Sequence, residues 1–310
     1  MIVFIWEKIG KIFEVDAKNR SPWMYSHSSN PTPYYLENDI FRVFFSTRDA
    51  ENKSNVGFFD LDLKLLKVEN VSLEPSLEHG VYGEVDESGI GVGCFLKNQK
   101  NVMMYYMAWQ TPNNEHWRGD IATAILGHDE KKMHKPSNNV MLGINSEDKI
   151  SLSYPFILQH EDVHHLWYGS TESWDCGNGE MLHVIKHAYS KDLKNWIFRG
   201  CCIKPELGKS QAFSRPVVVN LHNKWHMWYS YRGNQDKYKI GYAFSDNMLD
   251  WITCNNNKNV IYAGDSDAWD SEMVCYPYVF HHADKLYMLY NGNSYGKTGI
   301  GLAVAETEYH

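Results

Sequence analysis

Polar residues precede each of five short apolar runs in this chain, and in two of the five places they are acidic. Asp86 and Glu87 precede the second run, and Asp270 and Glu272 precede the fifth. Cleavage of a glycosidic bond needs one carboxylic acid to protonate the leaving oxygen and one carboxylate as base or nucleophile. The sequence therefore offers Asp86, Glu272 and Glu87 as candidate catalytic residues.

Basic, aromatic and amide side chains occupy similar places and are candidates for substrate binding. Arg215 precedes the fourth run, where a guanidinium group can hold a carboxylate or an anionic group of a substrate. The full set of predicted binding residues is His27, Asn30, Arg48, Trp109, Tyr154, Arg215, Arg232, Asp270, Tyr276 and Asn291. A structural alternative stays open, in which Asp86 or Asp270 caps a turn and Arg215 belongs to an ion pair.

Composition argues against several other classes of function. The net charge is −8 and no basic cluster is present, so no nucleic-acid partner is expected. Neither the 15 histidines nor the six cysteines show the spacing of a metal site, so no metal or other cofactor is predicted, while a cation in the channel stays an open alternative. The apolar start Met1–Trp6 is too short for a leader, and no run approaches the roughly 20 residues of a membrane helix. A cytoplasmic protein without a membrane partner is expected.

A regular internal repeat organises the chain. Five similar segments each contain an aromatic anchor residue, and the spacings between successive anchors are 61, 62, 61 and 61 residues. The anchors are Phe45, Tyr106, Tyr168, Tyr229 and Tyr290. Five such periods account for nearly all of the 310 residues, which predicts one domain over residues 1–310.

Each repeat has the pattern of consecutive strands. A short apolar run comes first, then the anchor strand, a third apolar strand and a less regular fourth. Pro155, Pro216 and Pro277 each lie 13 residues before an anchor, a place interpreted as the first residue of a strand. Because long amphipathic helices are absent, the sequence predicts an all-β, five-bladed β-propeller with about 61 residues per blade. The segment near Ile2–Phe13 is expected to complete the last blade.

The propeller prediction places the candidate residues at one central pocket. The innermost strands of a propeller line its axis, so residues preceding them should converge at one mouth of the channel. Asp86 and Asp270 each lie 20 residues before their anchors, which suggests equivalent positions around that pocket. The third repeat is expected to lack an acidic residue there.

Four short motifs resemble a known group of enzymes. Asn30-Pro-Thr-Pro33, Asp86-Glu-Ser-Gly89, Ser214-Arg-Pro216 and Trp269-Asp-Ser-Glu-Met273 are similar to motifs of the arabinanase, levansucrase and invertase superfamily. That superfamily contains glycoside hydrolase families 32, 43, 62, 68, 117 and 130, and the likeness extends to an uncharacterised bacterial, glycosidase-like subgroup, some members of which are linked to surface-polysaccharide genes.

The resemblance implies acidic residues on different blades around a funnel, which on this chain are Asp86 and Glu272, then Glu87. One departure stands out: family 43 enzymes carry an early aspartate on the first blade, where this chain has His27 and Asn30.

Three functions therefore remain open, all with a carbohydrate as ligand. The first is a glycoside hydrolase that uses the carboxylates named above. The second is a phosphorylase or glycosyl-transferring enzyme of surface-polysaccharide metabolism, in which Arg48, Arg215 and His27 would hold phosphate. The third is a propeller that binds carbohydrate without catalysis, since a fold does not fix a function.

Overall fold

The strands of this computed structural model form five antiparallel blades, within the described residues 2–98, 100–112, 115–234, 236–254 and 257–309. Single parallel bridges, Ser54–Gly89 and His183–Ala212, join the first blade to the second and the third to the fourth, so that the blades form three hydrogen-bonded sheets. The first strand, β1 (Ile2–Phe13), belongs to the last sheet, where it pairs with the final strand of the chain. The fold class predicted from the sequence is confirmed.

The first two blades follow β1 directly. Blade 1 consists of β2 (Ser26–Glu37), β3 (Ile40–Arg48), β4 (Ser54–Asp62) and β5 (Lys67–Glu69). Blade 2 consists of β6 (Gly89–Lys97), β7 (Val102–Gln110), β8 (Arg118–Leu126), and the short outer strands β9 (Met133–His134) and β10 (Val140–Leu142). In both blades the fourth place is taken by strands of two or three residues, which keeps the exposed sheet edge short.

The remaining blades repeat this plan. Blade 3 consists of β11 (Ser151–His160), β12 (Val163–Ser173), β13 (Leu182–Ser190) and β14 (Ile197–Cys201). Blade 4 consists of β15 (Ala212–Leu221), β16 (Lys224–Arg232), β17 (Lys239–Ser245) and β18 (Ile252–Thr253). Blade 5 consists of β19 (Cys275–His282), β20 (Lys285–Asn291), β21 (Ile300–Tyr309) and β1. Short helical segments lie at Asn257–Asn259 and Asn293–Gly296.

The first strand of each blade lies at the centre of the molecule. Strand β2 contacts β6, β6 contacts β11, β11 contacts β15, β15 contacts β19, and β19 contacts β2 again. This closed ring of contacts shows that the five first strands surround a common axis. The middle parts of these strands and of the second strands are mostly buried because neighbouring blades cover both faces.

A β-bulge interrupts four of these inner strands beside a proline. Asn30, Tyr154, Arg215 and Tyr276 each precede a proline, and their φ angles are 56°, 32°, 50° and 51°. Such positive φ values are uncommon for residues with a side chain, and the following proline restricts them further. The expectation that Pro155, Pro216 and Pro277 begin strands is wrong: each lies inside its strand, where the bulge removes the need for its missing N–H.

The N-terminal strand closes the ring, as expected from the sequence. Phe4 on β1 is fully buried, and its ring packs edge-on against Trp228 of blade 4 with centroids 5.2 Å apart. The backbone N–H of Phe4 donates to Oδ1 of Asn259 at 2.9 Å. Closure of the propeller thus joins the two ends of the chain and also fixes blade 5 against blade 4.

We expect the substitution Phe4→Ala to lower the free energy of unfolding by about 3–5 kcal/mol, because it leaves a cavity against Trp228. Ile5→Ala is the matched control on the same strand, since Ile5 is 41% exposed, and it should cost under about 1 kcal/mol. Urea unfolding followed by tryptophan fluorescence measures both. Equal losses in the two variants would contradict a closing role for Phe4.

Candidate functional site

An open cavity of about 280 Å³ lies on the axis of the propeller. Every blade contributes to it through its first strand, by Asn30, Ile90, Tyr154, Ser214 and Tyr276. The first strands also contribute Ser29, Gly91 and Ser153. The rest of its wall comes from second strands, the starts of third strands and the loops between them: Ser46, Arg48, Ser54, Met107, Trp109, Trp117, Met181, His183, Arg232, Tyr238 and Tyr295. We refer to this cavity as the axial pocket.

The structure brings one group of the predicted binding residues together in the wall of the axial pocket. These residues are Asn30, Arg48, Trp109, Tyr154, Arg232 and Tyr276. The bulges position three of them, because Asn30, Tyr154 and Tyr276 hold the positive-φ positions of inner strands. Gly91 makes room for Tyr154, since a Cβ at that glycine would come within 2.7 Å of the tyrosine ring.

The predicted acids Asp86 and Asp270 do not line this pocket, which corrects the expectation drawn from their equivalent spacing. Oδ2 of Asp86 accepts a hydrogen bond from the hydroxyl of Tyr106 at 2.9 Å and pairs with Nζ of Lys135 at 2.8 Å. Oδ2 of Asp270 accepts from the hydroxyl of Tyr290 at 3.2 Å and pairs with Nζ of Lys8 at 2.6 Å. Both carboxylates are almost fully buried within their own blades.

Blade 3 contains the same arrangement, although its sequence was expected to lack an acidic residue there. Asp148 lies 20 residues before the anchor Tyr168, accepts from its hydroxyl at 2.8 Å and pairs with Lys186 at 3.1 Å. The 20-residue spacing is therefore a repeated aspartate–tyrosine–lysine unit that ties the start of a blade to its anchor strand. These contacts fit a structural role for Asp86 and Asp270 better than a catalytic one. The role differs in detail from the expected turn cap, because each carboxylate contacts a tyrosine and a lysine side chain.

The two glutamates proposed as catalytic also lie away from the axial pocket. Glu87 is half-buried and accepts a hydrogen bond from the backbone N–H of Gly83 at 2.6 Å. Glu272 is exposed, 3.8 Å from Nζ of Lys237, and lines a second cavity of about 960 Å³ over blade 4. We call this second cavity the lateral groove; Tyr238 lines both it and the axial pocket.

Two further predicted residues, His27 and Asn291, do not form part of the pocket wall. His27 contacts Ser26, and burial, with Arg48 and Lys297 nearby, lowers its pKa to about 4. Asn291 joins blade 5 to blade 1: its side chain accepts from the N–H of Asn30 at 2.9 Å and donates to the carbonyl of Ser28 at 2.6 Å. Asn291 is therefore part of the ring closure.

Arg215 follows the lining residue Ser214, is fully buried and does not itself form part of the pocket wall. Its guanidinium donates to the carbonyl of Val92, to the carbonyl of Pro31 at 2.8 Å and to the hydroxyl of Thr32 at 2.8 Å. Burial lowers its pKa to about 10, which still leaves the group charged at neutral pH. A side chain of blade 4 thus crosses the axis to blades 1 and 2, and it forms no ion pair with any described residue, contrary to the structural alternative.

A hydrogen-bonded serine–histidine pair forms another part of the wall. Oγ of Ser153 lies 2.7 Å from Nε2 of His183, whose Nδ1 lies 2.8 Å from Oγ1 of Thr171. Burial, with Arg232 nearby, lowers the pKa of His183 to about 3, so the ring is neutral in the folded protein. Gly169 leaves the space for the pair, because a Cβ there would lie 2.2 Å from Oγ of Ser153.

Sequence reasoning missed much of the wall, namely Trp117, His183, Tyr238 and Tyr295, and also Glu180 behind it. Glu180 fixes the guanidinium of Arg232, with Nε–Oε2 at 2.9 Å and Nη2–Oε1 at 3.0 Å. These residues come from the loops after second strands or the starts of third strands. The sequence did contain a signal for these residues. Arg48, Trp109 and Arg232 lie at the ends of second strands, and in an antiparallel pair those ends lie beside the starts of the third strands. Residues at the starts of third strands could therefore have been predicted to lie near the same pocket.

The fold is that of the propeller glycoside hydrolases, as the resemblance of the motifs implied. A solved glycoside hydrolase superimposes with a TM-score of 0.76 and 14% identity, over 99% of this chain and 93% of that one. A thermostable family 43 glycoside hydrolase gives 0.65 and 16%, over 92% and 90%. The Bombyx mori family 32 β-fructofuranosidase BmSUC1 gives 0.67 and 15%, over 94% and 63%. Identities of this size show a shared fold.

Sequence relatedness defines the family more closely. No protein-family model matches the chain. The uncharacterised Mycobacterium tuberculosis proteins MT1551 and Rv1502 are each 34% identical over 303 residues, which is 97% of this chain and 99% of either relative. The chain belongs to the family of these mycobacterial proteins.

Two other features bear on possible ligands. Within the described ranges, no group of three or more His, Cys, Asp or Glu residues is arranged to hold a metal ion. No helix in that part of the chain has the length and apolar character needed to cross a membrane.

We expect Asp270→Asn to lower the free energy of unfolding by about 1–3 kcal/mol, because Lys8 loses its charged partner in a largely buried place. Asp267→Asn, on the same loop but exposed, is the control and should change stability little. Chemical denaturation measures both. Unchanged stability of the Asp270 variant would contradict the structural role of the repeated unit.

Acid should destabilise the fold through His183. Its pKa is about 3 when folded against an ordinary 6.5, so between these values the unfolded state binds a proton that the folded state does not. The stability that the neutral His183 contributes is fully present above pH 6.5 and is lost as the pH falls toward 3. The free energy of unfolding should change by up to about 1.4 kcal/mol per pH unit in this range. Unfolding free energies of His183→Gln should show a shallower acid slope than those of the exposed control His128→Gln. Identical slopes would refute this assignment.

Proposed function

We propose that this protein binds a carbohydrate in the axial pocket. The observation that carries the proposal is the connected aromatic wall of that pocket. Tyr154 and Tyr276 have ring centroids 5.3 Å apart, and Tyr295 lies 6.3 Å from Tyr276 and 6.0 Å from Tyr238. Tyrosine and tryptophan offer a flat apolar face for the C–H face of a sugar ring and polar groups for its hydroxyls.

The composition of the wall supports a sugar over an apolar ligand. Hydroxyls of Ser29, Ser46, Ser54, Ser153 and Ser214 are interspersed with the aromatic rings. Pockets for small molecules usually combine an apolar lining with a few converging polar groups that fix orientation. The indole ring of Trp109 is held in a fixed orientation in the wall, because its N–H donates a hydrogen bond to Oγ of Ser54 at 2.9 Å.

Cleavage of a glycosidic bond is the second candidate function, favoured by Glu272 in the lateral groove and by the hydrolase fold. Among the described residues that line the axial pocket no Asp or Glu occurs, so a hydrolytic acid–base pair has to come from its margins. Glu180 lies behind Arg232, and Glu272 lies in the groove beyond Tyr238. The described wall itself supplies aromatic rings and hydroxyls, which are the groups that sugar binding requires.

Isothermal titration against a panel of neutral and acidic oligosaccharides tests the binding proposal. We expect at least one ligand whose affinity falls about tenfold or more in Trp117→Ala, which removes one aromatic surface of the pocket. Tyr82→Ala is the control, because Tyr82 is 97% exposed outside the pocket and its loss should leave affinity unchanged. No sugar binding, or binding that Trp117→Ala leaves intact, would contradict the proposal.

The same ligand then tests for cleavage through the release of reducing ends. Turnover that Glu272→Gln or Glu180→Gln abolishes, with binding retained, would establish an enzyme whose acids lie at the pocket margin. Binding without turnover over a long incubation would leave a carbohydrate-binding propeller. Turnover that both variants perform at the wild-type rate would contradict the assignment of these glutamates.

A further inference from the structure

The axial pocket contains more positive than negative charge. Its described lining includes Arg48 and Arg232 but no carboxylate, and the buried Arg215 directly follows the lining residue Ser214. Glu180 neutralises Arg232 through an ion pair and one hydrogen bond, from Nη2 to Oε1. The positive charges of Arg48 and Arg215 have no comparable acidic partner among the described residues.

Arg48 has no acidic partner among the described residues. Its guanidinium donates to the neutral side chain of Asn52 at 2.6 Å. The adjacent carboxylate, Asp49, is occupied elsewhere: Oδ1 accepts from the backbone N–H groups of Glu51 and Lys53, both at 2.9 Å, and Oδ2 faces His79 at 3.6 Å. Arg48 is half-buried in the pocket wall, so its charge borders the space where a ligand would bind.

Arg215 has no acidic partner either, and its situation is more unusual because it is fully buried. All its described hydrogen-bond acceptors are neutral oxygens, and its Nε has no partner. Burying a charge without a counter-ion is costly, and proteins ordinarily pair such groups. The acceptor residues Pro31 and Val92 directly follow the lining residues Asn30 and Gly91, so the positive field of Arg215 acts on the pocket through a medium of low dielectric constant.

We propose that the carbohydrate bound in the axial pocket carries an anionic substituent, a carboxylate or a phosphate ester, that pairs with Arg48 in the field of Arg215. This inference rests on the proposed function and specifies its ligand class. Guanidinium groups form paired hydrogen bonds with both kinds of anion, so the recognition chemistry is shared. A bound anion would also supply the counter-charge that Arg215 lacks.

The experiment compares acidic oligosaccharides with neutral forms of the same molecules. Uronic-acid oligosaccharides are measured before and after chemical reduction of their carboxyl groups, and phosphorylated oligosaccharides before and after phosphatase treatment. We expect one acidic series to bind about 10- to 100-fold more tightly than its neutral form. Which series does so distinguishes the carboxylate from the phosphate, and the preference should shrink as the salt concentration rises.

Variants of Arg48 assign the effect to the pocket. Arg48→Gln should remove most of the preference for the acidic form, and Arg48→Lys should keep part of it because the charge remains. Arg199→Gln makes the same charge change on the exposed strand β14 and should leave the preference intact. Thermal unfolding checks that all three variants are folded.

The outcomes separate this inference from the proposed function. Equal binding of acidic and neutral forms, with Trp117→Ala still weakening both, would overturn the anionic ligand and leave carbohydrate binding standing. A preference for acidic forms that Arg48→Gln does not reduce would also overturn it. No binding of any oligosaccharide would overturn the proposed function and this inference together.

Discussion

Closure of the ring is the constraint on which the rest of this structure depends. Inner strands of neighbouring blades pack side by side without forming a continuous ladder, so side chains must link them. Oγ of Ser46 accepts from the N–H of Val92, Sγ of Cys94 accepts from the N–H of Ile157, and Oγ of Ser230 accepts from the N–H of Tyr276. Asn291 makes the link between blades 5 and 1, and β1 completes the last sheet. These short polar side chains fix the spacing of the inner strands, and therefore the width of the pocket.

The pocket exists because the inner strands are interrupted where they meet the axis. A regular strand alternates its side chains between two faces, both of which are covered by neighbouring blades. The bulges at Asn30, Tyr154 and Tyr276 turn individual side chains away from that alternation and into the axial space. The associated backbone strain is concentrated around the proposed binding site, as is common at functional sites.

The distribution of acidic residues separates this chain from a simple glycosidase arrangement. Its aspartates at equivalent repeat positions form hydrogen bonds with tyrosine and ion pairs with lysine inside the blades. The axial pocket is left with aromatic rings, serine hydroxyls and arginines. A pocket of that kind fits recognition of a sugar with a negative charge, and any bond-breaking acid would act from its edge.

The sequence by itself determined the repeat, because burial of each anchor aromatic between sheets recurs every 61 or 62 residues. From that period followed the blades, the closing strand and the wall positions of Arg48, Trp109 and Tyr154. The spacing of residues along the chain does not show in which direction a carboxylate points. Asp86 and Asp270 therefore suggested a shared site, whereas in the structure each forms an ion pair inside its own blade. Only the tertiary structure decided which charges meet, because Lys8 and Asp270 are 262 residues apart in the chain and come together through ring closure.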